Sequence, residues 1–380
     1  MPLRRIRSPA PGSARAPRAG LLGLLLALTA LIGAPAALAR GHWHSTGRLH
    51  NSRYLETATL LADGRVLVTG GFQFGILASA ELYDPSRGRW TFTSPFFSPR
   101  FAHTATLLAD GSVLIAGGGN LTAGYLASAE RYLPSSGTWV PAGALSIPRD
   151  NHTATLLRDG RVLVVGGFNR FGPALKSAEL YSPAANRWSR IANLRTPRYH
   201  HTATLLSDGR VLVVGGEQDV GGNLRLLSSA ELYDPVRNRW TSAAPLPFGV
   251  ANQTATRLTD GRVLVVGGGD KAPGFRAGVE IYNPKRNRWT RAASLPAPRA
   301  FHVATLLRGG QVLVAGGLND HGALGSASLY DPRRNRWGSA GALIPAAKEA
   351  VAPLLNGRVL VVGGQRYSGS PLGNATVYTP

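Results

Sequence analysis

Runs of four apolar residues ended by a pair of glycines recur along this chain. RVLVVGG is the pattern at its clearest, and the glycine pairs fall at Gly70-Gly71, Gly117-Gly118, Gly166-Gly167, Gly215-Gly216, Gly267-Gly268, Gly316-Gly317 and Gly363-Gly364. A short apolar run bounded by turn residues reads as a β-strand buried on both faces. Each run has companions, which in the fourth copy are HTATLL before it and SAELYD and RWTSAA after it. The SAELYD segments carry Tyr83, Tyr132, Tyr181, Tyr233, Tyr282, Tyr330 and Tyr378, and the RWTSAA segments Trp90, Trp139, Trp188, Trp240, Trp289 and Trp337. Pairs such as Asp63-Gly64, Asp208-Gly209 and Asn356-Gly357 separate the first two strands. They tolerate positive φ at both central residues and predict two-residue type I′ hairpins. DPxRNRW, with Pro presetting φ and Asn or Gly supporting the reversal, joins the last two. A unit of roughly 49 residues with four antiparallel strands cannot cover both its faces, so a radial array of blades is predicted.

The seventh copy stops at Pro380, before its tryptophan. Trp43-His44-Ser45-Thr46-Gly47-Arg48-Leu49 aligns with Trp240-Thr241-Ser242-Ala243-Ala244-Pro245-Leu246, so the N-terminal segment is predicted to supply the missing outer strand. This uses all seven tryptophans and gives seven blades, at about 51–98, 99–147, 148–196, 197–247, 248–297, 298–345 and 346–380, the last completed by 40–50. Residues 1–39 read as a cleaved leader. Arg4, Arg5, Arg7, Arg15 and Arg18 precede an apolar run from Leu21 to Ile32, and Ala37-Leu38-Ala39 fits signal peptidase. That run is too short to span a bilayer, so no membrane span is expected after cleavage. The expected destination is secreted, periplasmic or cell-surface.

Composition narrows the chemistry. With no cysteine, disulfides, thiol nucleophiles and cysteine-ligated metals are excluded. The net charge of +22 favours anionic partners. Nucleic acid is not expected, since no recognition module is present and the leader directs the chain out of the cell. No cofactor is expected either.

The glycine pairs, the spaced Tyr and Trp, and an Arg-x-x-His lead-in to the first strand resemble kelch repeats over nearly all of the mature chain. The resemblance implies an all-β, seven-bladed kelch-type propeller with a galactose oxidase-like central-domain fold. It leaves function open between adaptor, carbohydrate-active enzyme and binding module. Copper radical oxidases share the fold but need a cysteine crosslinked to a tyrosine, which excludes that activity here.

With the first strand lining the channel, one rim carries the loops and the other the turns. On the turn rim Arg65, Arg161, Arg210, Arg262 and Arg358 make either a polyanion ring or a solvated face neutralised by neighbouring aspartates. On the loop rim the lead-in arginines Arg53, Arg100, Arg149, Arg198 and Arg299 are candidate ligand contacts, interleaved with Tyr54, Phe101, Tyr199, Phe248 and Phe301. Guanidinium forks take carboxylates bidentately, and flat rings stack on sugars or peptide planes. In kelch adaptors arginines at this position contact acidic peptides, and the resemblance implies that role; bracing neighbouring loops is the other reading.

One polar residue per blade follows, at Glu56, His103, His152, His201, Gln253, His302 and Glu349. Glu56 and Glu349 replace histidine in blades that adjoin once the ring closes, and paired carboxylates suit acid/base work, with His302 and His103 completing an arc that could hold a metal. The main expectation is a binding module for an anionic peptide or glycan. The alternative is a mutarotase- or epimerase-like sugar enzyme using Glu56 and Glu349. Cleavage after Ala39 would also place His42 third in the mature chain, the position for a square-planar Cu(II) or Ni(II) site.

Overall fold

In the first blade the strands Thr57–Leu60, Val66–Thr69, Ala80–Asp84 and Arg89–Phe92 pair antiparallel in chain order. The computed structural model describes residues 41–169, 174–221, 223–270 and 274–380, and the predicted leader, residues 1–39, lies outside them. The same four-stranded unit recurs seven times, and the inner strands adjoin one another around a central channel. The chain is therefore an all-β, seven-bladed propeller. Among the described residues no helix is long and apolar enough to cross a membrane.

The continuous apolar runs follow from blade packing. Each second strand is buried at all four positions because both its faces meet a neighbouring blade. Val66 and Val68 join a core with Leu360 and Val362 of the last blade, while Leu67 between them packs with Val113 and Ile115 of the second. Alternation along one strand thus serves two interfaces.

The ring closes as the tryptophan count predicts. His42–Ser45 pairs with Ala375–Thr379 as the outer strand of the last blade, with Trp43 opposite Tyr378. Trp43 Nε1 donates to the Ala340 carbonyl of the preceding blade at 2.8 Å, the bond that Trp240 makes to Ala192 and Trp337 to Ala293.

The first turn of each blade differs from the predicted type I′ form. Leu61 N–H donates to Arg65 C=O and Gly64 N–H to Leu61 C=O, so the loop has three residues. Gly64 takes φ of 86° while Asp63 does not turn left-handed. Asp63 instead accepts from the Arg65 N–H at 3.0 Å. An aspartate that caps the turn from its side chain has no need of positive φ, and the glycine alone absorbs the bulge.

Candidate ligand site at the loop rim

The glycine pair is where one blade receives the next. A Cβ on Gly166 would sit 2.4 Å from the Arg198 carbonyl and 2.9 Å from the His201 ring, so the lead-in of blade 4 crosses directly over this residue. Both glycines are left-handed, at φ of 62° and 100°, which glycine alone adopts freely.

This crossing carries the lead-in arginines inward. Arg53, Arg100, Arg149, Arg198 and Arg299 are at most 1% exposed, so they do not line the mouth as ligand contacts. Their guanidinium groups donate to the first glycine's carbonyl, from 2.6 Å at Gly215 to 2.9 Å at Gly316, and to a serine on the third strand. Four meet a buried carboxylate: Arg53 with Glu81, Arg100 with Glu130, Arg149 with Glu179 and Arg198 with Glu231. Arg299 has no such partner, because Ser328 stands where the glutamate would be. A buried charge needs its full set of donors and acceptors, and the fold supplies them from within. On the turn rim Arg65, Arg161, Arg210 and Arg262 each pair with the turn aspartate at 2.7 Å, the neutralised face rather than a free polyanion ring.

The polar residues three places on ring the channel. His152, His201 and His302 hydrogen-bond through Nε2 to a threonine of the preceding blade at 2.8 to 3.0 Å. His103 meets Thr69 at 2.9 Å. Burial, reinforced by the adjacent arginines, pushes His152 and His302 down to about 3 and His103 and His201 well below their usual range. All four imidazoles are neutral at pH 7.

Glu56 and Glu349 move the other way. Burial pushes Glu56 up to about 8, opposed by its own and the Gly364 N–H groups and by Arg53, with Glu349 adding to the rise. Burial likewise raises Glu349 to about 8 against the pull of Arg299. Glu349 of blade 7 lies within electrostatic reach of Arg299, whose own blade lacks the glutamate, without forming a salt bridge to it. Among the described residues no three histidines or carboxylates gather to hold a metal, so the arc from His302 to His103 does not converge on an ion. His42 is exposed on the closing strand, and Arg40, whose amine its metal site requires, lies outside the described residues.

One residue earlier in each blade lies a second ring that the sequence did not disclose. Leu55, Ala102, Asn151, His200, Asn252, Phe301 and Lys348 all adopt left-handed φ, between 47° and 58°. Each donates its N–H to the equivalent carbonyl of the preceding blade. The circuit runs from Ala102 to Leu55 at 3.0 Å round to Leu55 and Lys348 at 3.4 Å. Only Asn151 and Asn252 share a residue type, so neither periodicity nor motif marks these positions as a ring. Together with the ring below they line a pocket of about 300 Å³ at the channel mouth.

Aromatic side chains crown this pocket. Tyr54 meets Phe72 and Phe72 meets Phe101; Phe168, Tyr199, His200 and Phe301 follow in a second chain of ring contacts at 4.9 to 6.3 Å. Lys348 links the two chains, its Nζ 5.8 Å from the Tyr54 ring and 5.3 Å from that of Phe301. The sequence-predicted Tyr54, Phe101, Tyr199 and Phe301 are thus brought together.

Three stretches of the chain, residues 151–195, 198–247 and 253–296, match the Kelch motif. No curated protein matches the sequence. Among solved structures the chain resembles a fungal alcohol oxidase of the AA5 family, described in complex with copper. That likeness has a TM-score of 0.74 at 17% identity and covers 90% of this chain and 76% of the oxidase. At that identity the likeness is one of fold. The chain thus carries Kelch motifs in those three stretches and folds as a seven-bladed propeller.

Proposed function

We propose that this protein is a secreted or periplasmic binding module that takes an anionic sugar or peptide carboxylate at the axial pocket of its loop rim. The observation that carries the reading is Lys348, held between Tyr54 and Phe301 above Glu56 and Glu349. With both carboxyls raised to about 8, they are neutral at pH 7 and do not repel an anion held in the pocket. Unpaired Arg299 beneath adds a positive field without touching the ligand. The leader-like segment at residues 1–39 supports export.

The test is calorimetric titration of the full chain with glucuronate and with a short acidic peptide. At least one should bind at pH 7, and Lys348→Met should weaken it tenfold or more. Affinity should fall as pH rises through about 8, where Glu56 and Glu349 ionise, and Glu56→Gln with Glu349→Gln should abolish that fall. Unchanged binding in Lys348→Met would refute the assignment.

A sugar-ring mutarotase or epimerase is the second reading, favoured by the same two raised carboxyls. Protonated at pH 7, however, they equip the pocket with acids and withhold the base that epimerisation requires. Binding therefore ranks first. Turnover of a reducing sugar acid that collapses in Glu56→Gln with affinity retained would reverse the order.

A further inference from the structure

Blade 5 keeps the buried glutamate of its neighbours without the hydrogen bonds that satisfy it there. In blade 4, Glu231 accepts from Arg198 Nη2 at 2.9 Å and from the N–H groups of Arg195 at 2.9 Å and Thr196 at 3.1 Å, while Ser229 braces the arginine. The equivalents around Glu280 are Val250 for the arginine, Pro247 and Phe248 for the two amide donors, and Gly278 for the serine. Proline has no N–H to give. The Phe248 ring lies over Gly278, where a Cβ would come within 2.8 Å of it.

Glu280 is consequently 5% exposed, and among the described residues none donates a hydrogen bond to it. It faces a groove of about 620 Å³ on the flank of the blade, between Phe248 and Trp289. Arg291 stands opposite Glu280 in the strand register, and Arg288 lies three strand positions earlier; both line the groove. Arg276 stacks on Phe248 at 4.9 Å.

We propose that this groove is a second binding site, selective for the vicinal hydroxyls of a neutral sugar ring. A carboxylate stripped of three donors calls for two or three replacements. A cationic ligand would bring them, but the two arginines that line the groove beside one carboxylate leave it positive and repel such a ligand. A vicinal diol offers two O–H donors to Glu280 with no added charge. Its oxygens accept from Arg288 and Arg291, and the apolar face of the ring lies against Phe248 or Trp289.

Saturation-transfer NMR and calorimetry of the full chain with methyl glucopyranoside, methyl galactopyranoside and arginine amide test this. At least one hexoside should bind, with Glu280→Gln weakening it fivefold or more. Arg291→Ala, a change on an exposed strand face that leaves the core intact, should weaken it at least threefold. Lys348→Met at the axial pocket should leave it unchanged. Absence of hexoside binding, or binding indifferent to both blade 5 substitutions, overturns the proposal. So does tighter binding of arginine amide than of either hexoside.

Discussion

Arg198 is fully buried, with Gly215, Ser229 and Glu231 taking its guanidinium protons. Its removal should therefore register as lost stability. Arg198→Ala leaves Glu231 as an uncompensated buried charge, a defect that costs about 3–5 kcal/mol. Urea unfolding should show that loss, whereas Arg198→Met combined with Glu231→Leu should recover most of it. A single variant as stable as the parent would show that the pair is not what holds this lead-in. The same position explains a misplaced expectation. Spacing placed the five arginines at the mouth, but spacing does not say on which side of a strand a long side chain runs. The clue was in the third strand, where Glu81, Glu130, Glu179 and Glu231 recur in four of the five blades that have the arginine.

Strands and their order were legible because each obeys a local rule. Apolar runs mark the second strand, Asp-Gly the first turn, and the missing seventh tryptophan the N-terminal segment that completes the last blade. Turn type was misread, since Asp-Gly serves a two-residue and a three-residue loop alike. The left-handed ring was illegible for a stronger reason: Leu55 and Phe301 pay about 1–3 kcal/mol each for that conformation, and only the closed circuit of neighbours imposes it. For the closing strand the consequence is measurable. Deleting residues 40–50 removes Trp43 and the buried Leu49 and uncovers the edge strand Ala375–Thr379. The expected cost is about 3–5 kcal/mol, seen as a lower Tm together with a tendency to associate through the bared edge. An unchanged Tm would mean that the seam closes without this strand.

Across the whole propeller, two sets of buried groups set opposing pH dependences. The four neutral histidines hold folded pKa values far below 6.5, so their contribution is complete above that pH and is lost as pH falls, toward about 3 for His152 and His302. Glu56 and Glu349 are raised from 4.5 to about 8, so theirs is complete below 4.5 and is lost as pH climbs to 8. Asp150, raised to about 6, weakens the molecule over the lower part of that range. Four histidines outweigh three acids until the histidines are neutral in the unfolded chain as well, which places maximal stability at about pH 6–6.5. Scanning calorimetry between pH 4 and 9 should find that maximum, and Glu56→Gln with Glu349→Gln should flatten the alkaline side. A Tm that rises steadily to pH 8 in the parent would contradict the account. The inner circuit of hydrogen bonds bears on ligands in another way. By joining every left-handed amide to its neighbour's carbonyl, it leaves no ring N–H to offer a guest, and discrimination falls to seven side chains of six kinds. A mouth of true sevenfold symmetry would accept a guest in seven equivalent orientations. This one, with a cation on one side and amides on the other, accepts a single heading and forgoes about 1 kcal/mol of orientational freedom to do so.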